Sequence, residues 1–116
     1  VHGAKRWYFP DGFLPKGKSG ERVSHESLCV MNLNKIPAKV RMTILFDDME
    51  PITYELEIPS MRDLHIRLDK LEPSLPREKP YGIFVESSVE IVAQLSRLDV
   101  SEDHYTLMTT VGYSEG

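Results

Sequence analysis

Cysteine is nearly missing from this chain. Cys29 is the only one in 116 residues, so an internal disulfide is excluded and a reducing cytoplasm is the simplest compartment. Long apolar runs are also missing: nothing approaches the roughly 20 residues of a membrane-spanning helix. The opening VHGAKRWYF lacks the pattern of a secretory signal. Positive charge is not in excess. The net charge is −4, which leaves nonspecific DNA or RNA binding little electrostatic support. There is no internal repeat, no low-complexity tract and no long helical stripe. The length suits a single domain over residues 1–116.

A period of two is present almost everywhere. In 37–46, Val40, Met42, Ile44 and Phe46 alternate with Lys39, Arg41, Thr43 and Leu45. In 52–58 the inward set is Ile52, Tyr54, Leu56 and Ile58, and in 63–69 it is Leu64, Ile66 and Leu68. Alternation of this kind turns one face of a strand to a core and the other to water or a partner. Further strands are expected at 5–9, 26–33, 82–87, 89–98 and 105–113, with turns at 47–51, 59–60, 72–80 and 101–103. A short helix fits near 69–72. The expected fold is all-β: a single-domain antiparallel β-sandwich, jelly-roll-like, of about eight strands. Two connections, 10–23 and 69–81, are too long for hairpins. Gly, Lys and Ser in the middle of 10–23 favour a mobile loop there.

That loop contains GFLPKGKS, residues 12–19, which fits the phosphate-loop pattern through Gly12, Gly17, Lys18 and Ser19. Such a loop needs a helix after it, so that helix N-terminal N–H groups cradle phosphate. GERVSHESLCVM follows instead, with no spacing of three and four. The segment MTILFDD at 42–48 mimics a magnesium-binding strand but runs directly into a hairpin turn. Nucleotide binding is therefore not expected.

Several polar groups remain. Ser24 and Glu26 share a strand face, and His25 points away from them, which separates His25 from Glu26 as an acid–base pair. Arg97 and Asp99 share a face at a strand end, with Leu98 expected in the core; a guanidinium beside a carboxylate can fix a ligand hydroxyl or be a plain salt bridge. Asp63, His65, Arg67 and Asp69 are expected along one outward face, with Arg62 at its start. No metal site is expected: His25 and Cys29 share parity but lie about 13 Å apart on an extended strand. Cys29 reads as an inert buried thiol and Trp7 as core, or else as a platform for a sugar face. No cofactor is expected.

Taken together these residues resemble the sensory rhodopsin transducer family. The resemblance rests on Trp7, Gly12 and Pro15; on Ser24-His25-Glu26 followed by Cys29 and Asn32; and on Asp48, Glu50 and Pro51. It continues through Arg62, His65 and Arg67, then Gln94 and Arg97-Leu98-Asp99, and ends on Thr110 and Tyr113. It implies an eight-stranded β-sandwich assembled as a homotetramer, binding a sugar or related polar metabolite without catalysis and relaying a signal to a protein partner such as a membrane sensor. The ligand-binding positions it implies are Ser24, His25, Glu26, Arg62, His65, Arg67, Arg97 and Asp99. Arg62 and Arg97 would donate to ligand oxygens, Glu26 and Asp99 would accept from hydroxyls, and His25 would orient. Two alternatives compete with this reading. One is an enzyme of small polar substrates using His25, Glu26 and Asp99 as acid–base groups. The other is a DNA-linked regulator gathering Arg62, Arg67, Lys16 and Lys18 by oligomerisation, which the net charge disfavours.

Overall fold

The computed structural model describes residues 2–102 and 104–116. The strands are β1 (Ala4–Phe13), β2 (Lys18–Ser19), β3 (Arg22–Val23), β4 (His25–Asn32), β5 (Ala38–Leu45), β6 (Ile52–Ile58), β7 (Arg62–Arg67), β8 (Pro80–Asp99), β9 (Thr106–Val111) and β10 (Tyr113–Glu115). A 3-10 turn at Leu68–Lys70 stands where a short helix was expected. All of the pairing is antiparallel.

Strand β8 organises the molecule. Its first half pairs with β1 and β5, with Val85 opposite both Trp7 and Met42. Its second half pairs with β4 and β9, with Leu95 opposite both Leu28 and Thr110. One layer therefore runs β10-β1-β8-β5-β6 and the other β7-β4-β8-β9. Alternation keeps the same parity through the crossing: Tyr81, Ile83 and Val85 are buried in the first half, and Ile91, Ala93 and Leu95 in the second. They close a core with Trp7, Phe9, Leu28, Val30, Met42, Ile44 and Ile58. Trp7 is core, and its indole N–H donates to the Ala4 and Ile91 carbonyls at 3.1 Å.

The all-β antiparallel expectation holds, and eight strands form the main sheet. Segments 82–87, 89–98 and 105–113 are bounded differently from the expectation. Segments 82–87 and 89–98 are one 20-residue strand, because the serines at the crossing stay extended. Segment 105–113 is divided at Gly112, where a Cβ would stand 2.6 Å from Phe9 Cε1 and 2.7 Å from the Tyr8 carbonyl oxygen. Chain and ring approach too closely there for any side chain.

Segment 10–23 is not a free loop. β1 continues to Phe13, Leu14 and Pro15 are buried, and β2 and β3 form a small hairpin. The Ser24 N–H donates to the Gly17 carbonyl at 3.1 Å. Gly12 lies inside β1 and Lys18–Ser19 in β2, with no helix after them, so the phosphate-loop pattern has no phosphate-loop structure.

Gly12 packs so closely on Tyr81 that an added Cβ would collide with the phenol ring. Gly12→Ala should lower stability by about 1–3 kcal/mol through overpacking, read as a shifted urea midpoint at unchanged m-value.

Candidate functional site

Two-residue spacing sends Glu26 inward and His25 outward from β4. Glu26 has no exposed surface. Its carboxyl accepts from the Tyr81 hydroxyl at 2.5 Å, from Arg97 Nε at 3.0 Å and from the Phe13 N–H at 3.3 Å. Every bond into it is donated, which suits an acceptor-only carboxylate. Burial pushes the carboxyl above its ordinary range, and the bonds from Tyr81, Arg97 and Phe13 pull it back only in part. Burial and then the neighbouring Glu26 charge raise the Tyr81 phenol as well, so Tyr81 stays a donor. Arg97 also donates to the Asp11 carbonyl at 2.9 Å and lies 6.0 Å from the Phe13 ring centroid. Ser24 is buried beside this cluster. Its hydroxyl donates to the Lys16 carbonyl and accepts the Val100 N–H, both at 2.9 Å. Ser24, Glu26 and Arg97 thus come together, and each is bound to the protein itself.

His25 faces the opposite side. Its Nδ1 lies 2.8 Å from the Val23 carbonyl, so Nδ1 carries the proton. Around it is a groove of about 290 Å³ lined by Glu21, Arg22, Val23, Arg67, Asp69, Lys70 and Leu98. Arg67 binds Asp69 through two parallel bonds of 2.8 Å. Burial alone would raise the Asp69 carboxyl; the Arg67 bond and charge outweigh it and hold it below its ordinary range. Arg77 Nη2 lies 3.8 Å from Asp69, and its Nη1 donates to the Pro15 and Ser24 carbonyls at 2.5 and 2.9 Å. This one side chain ties the 14–24 segment to the 69–79 segment.

A second groove of about 280 Å³ lies along the same open face, over Cys29, Met31, Asp63, His65, Gln94, Ser96 and Thr109. His65 Nε2 is 3.2 Å from Asp63. Cys29 belongs to this outward face and not to the core, and its partial burial raises the thiol pKa. Among the described residues no cluster of three or more metal-ligating side chains is assembled.

The eight expected ligand positions are therefore dispersed. Ser24, Glu26 and Arg97 lie inside, His25 and Arg67 share one outer groove, and His65 lines another. Arg62, exposed at the far end of β7, donates to the Ser60 and Met61 carbonyls. Asp99 accepts the N–H and hydroxyl of Ser101, whose bonds hold it below its ordinary range.

Besides the outward placement of Cys29, three further sequence expectations need correction. Leu98 lines the outer groove, because Arg97 takes the inward parity of Leu95. Arg97 pairs with Glu26 at 3.0 Å rather than with Asp99. Asp69 lies past the strand in the 3-10 turn, with its side chain only 5% exposed. Tyr81 and Arg77 were missed. Tyr81 looked like any aromatic strand residue, and Arg77 stood in a Pro-rich loop with no period to interpret.

Fold and site define a class: a small antiparallel β-sandwich with a carboxylate sealed in its interior and polar grooves on the open face of its second layer. A family profile described as Anabaena sensory rhodopsin transducer matches residues 2–114. The chain belongs to that family. A crystal structure of Thermotoga maritima protein 1070 is 56% identical, with a TM-score of 0.95 over 99% of this chain and 97% of that one. The Anabaena sensory rhodopsin transducer structure is 33% identical, with a TM-score of 0.75 over 84% of this chain and 90% of that one. No curated protein matches the chain. No helix among the described residues is long and apolar enough to cross a membrane.

Glu26→Ala should cost about 3 kcal/mol, because it leaves Arg97 and Tyr81 without their buried acceptor. The pH dependence has a definite sign. A carboxyl raised above its unfolded value near 4.5 contributes most below that value, and the contribution is lost as pH rises through the raised one. Stability measured as wild type minus Glu26→Gln should therefore fall from acid towards neutral pH. The lowered Asp69 and Asp99 titrate in both proteins and cancel. A flat difference curve would contradict the direction.

Proposed function

We propose that residues 1–116 act as one non-catalytic module that binds a small polar ligand, a sugar or related metabolite, and relays its presence to a protein partner in the cytoplasm. The observation that carries this reading is the groove at His25 and Arg67. It combines an imidazole with one fixed nitrogen, a guanidinium oriented by a buried carboxylate, and the apolar flank of Leu98. Convergent polar groups on a partly apolar cleft are what a small-molecule site requires. The acid–base reading has less support, since His25 and the unexposed Glu26 lie on opposite faces of β4. The DNA reading is weakened by the separation of Arg62 and Arg67 at opposite ends of β7.

The relative named as a sensory rhodopsin transducer makes a membrane-embedded sensor one partner class for this chain. Homotetramer assembly is part of the same proposal. Leu107 and Val111, 78% and 75% exposed on β9, support it, because they put apolar side chains on the open face of the second layer.

A thermal-shift and calorimetric screen against monosaccharides, sugar acids and sugar phosphates tests the reading, with light-scattering mass recorded on the same sample. Ligand at 100 times its Kd adds about 2.7 kcal/mol of stability. The expected result is a hit that His25→Ala weakens at least tenfold, in a particle near four chain masses. A panel without any hit, or a hit indifferent to His25→Ala, would contradict the assigned site.

A further inference from the structure

The groove at His25 differs in charge from the rest of the molecule. The chain as a whole is net negative. Yet Arg22, Arg67 and Lys70 line this groove against only two carboxylates, Glu21 and Asp69. Asp69 is withdrawn from it, being buried and doubly bonded by Arg67, with Arg77 on a further side. With Arg67 and Asp69 satisfying each other, Arg22 and Lys70 face one exposed carboxylate, Glu21, which leaves the groove a surplus of one positive charge. The Arg22 guanidinium carbon lies 5.0 Å from the Tyr105 ring centroid, a cation–π contact that leaves the edge N–H groups of the guanidinium for hydrogen bonding. Neither Arg22 nor Lys70 has an acidic partner within 4.0 Å among the described residues.

Two neighbouring grooves provide a contrast. The one over Cys29 and Gln94 has Asp63 and His65 but no Lys or Arg. The one on the first layer balances Lys39 and Arg41 with Glu55 and Glu86. A surplus of cations is specific to the His25 groove among these three.

His25 adds a second requirement. Its Nδ1 proton is committed to the Val23 carbonyl, so the neutral ring presents Nε2 as an acceptor. An acceptor beside a cationic rim matches a ligand with both a hydroxyl to donate and a negative charge to be held.

We infer that the ligand of this groove is a polyhydroxylated anion, a sugar-sized molecule bearing a carboxylate or a phosphate, with its charge toward Arg22, Arg67 and Lys70 and a hydroxyl toward His25. This rests on the binding reading above and narrows it. Fixed positive groups around a concave wall raise the local concentration of an anion and select it over its neutral parent.

The test is calorimetry at constant ionic strength on the full chain. Glucose and galactose are compared with glucuronate and galacturonate in one arm and with glucose 6-phosphate in a second, and inorganic phosphate alone forms a third. Wild type is compared with the exposed-site double variant Arg22→Glu/Lys70→Glu and with His25→Ala, after melting curves confirm that each is folded.

The expected result is at least a tenfold preference for an anionic sugar over its neutral parent. The double charge reversal should abolish that preference, and His25→Ala should weaken the sugar but not the preference. The arm that responds distinguishes carboxylate from phosphate. Neutral sugars bound as tightly as their acids and phosphates would overturn the inference and leave the binding module standing. Inorganic phosphate bound as tightly as the sugar phosphate would also overturn it, because the hydroxyl requirement would be void. Absence of binding by every compound would overturn the inference and the binding module together.

Discussion

A carboxyl group with no access to water must find donors in the protein, and the position of Glu26 makes this the governing constraint of the structure. Its donors come from three separated places in the chain: Phe13 at the end of β1, Tyr81 near the start of β8 and Arg97 near its end. Burying such a charge costs several kcal/mol unless each lone pair is met. The two ends of the longest strand and the end of the first are thereby bound to β4 at one point. Gly12 has no side chain because the Tyr81 ring that serves Glu26 occupies that space.

The outer groove depends on the same arrangement. With Glu26 held inward, strand parity turns His25 out, and the β4–β7 register puts Ser27 opposite Arg67. Arg67 then reaches Asp69 in the turn that follows. Ser24, the residue before His25, is fixed through its side chain to Val100 and Lys16 and through its carbonyl to Arg77. The contiguous triplet Ser24-His25-Glu26 thus divides its duties. Its outer members are internal anchors, and the middle one faces the groove.

Much of the fold could be read in the sequence, for a physical reason. Half-buried antiparallel strands must alternate, so Val40, Met42 and Ile44 or Tyr54 and Ile58 declare their face without any knowledge of partners. What alternation does not contain is the partner itself. Nothing local says that Tyr81 meets Glu26, or that β8 changes layers without ending. Likewise, the local pattern at 97–99 gave no sign that Arg97 would take an inward position and leave Leu98 outside. The candidate site was legible as a set of residue types but not as a place. The polar motif residues separate into an internal cluster, two grooves and two isolated positions, according to parity and turn geometry that only the folded chain specifies.

The central claim is that Glu26 and its donors act as one coupled unit. A double-mutant cycle between Glu26→Gln and Tyr81→Phe, measured by urea unfolding, tests it most directly. Both changes are nearly isosteric: Tyr81→Phe removes the donor, and Glu26→Gln keeps one acceptor oxygen but removes the charge that strengthens the shared bond. The account predicts that the two costs fail to add by about 1 kcal/mol or more. Additivity to within about 0.3 kcal/mol would mean that the two residues contribute independently, and it would contradict the account.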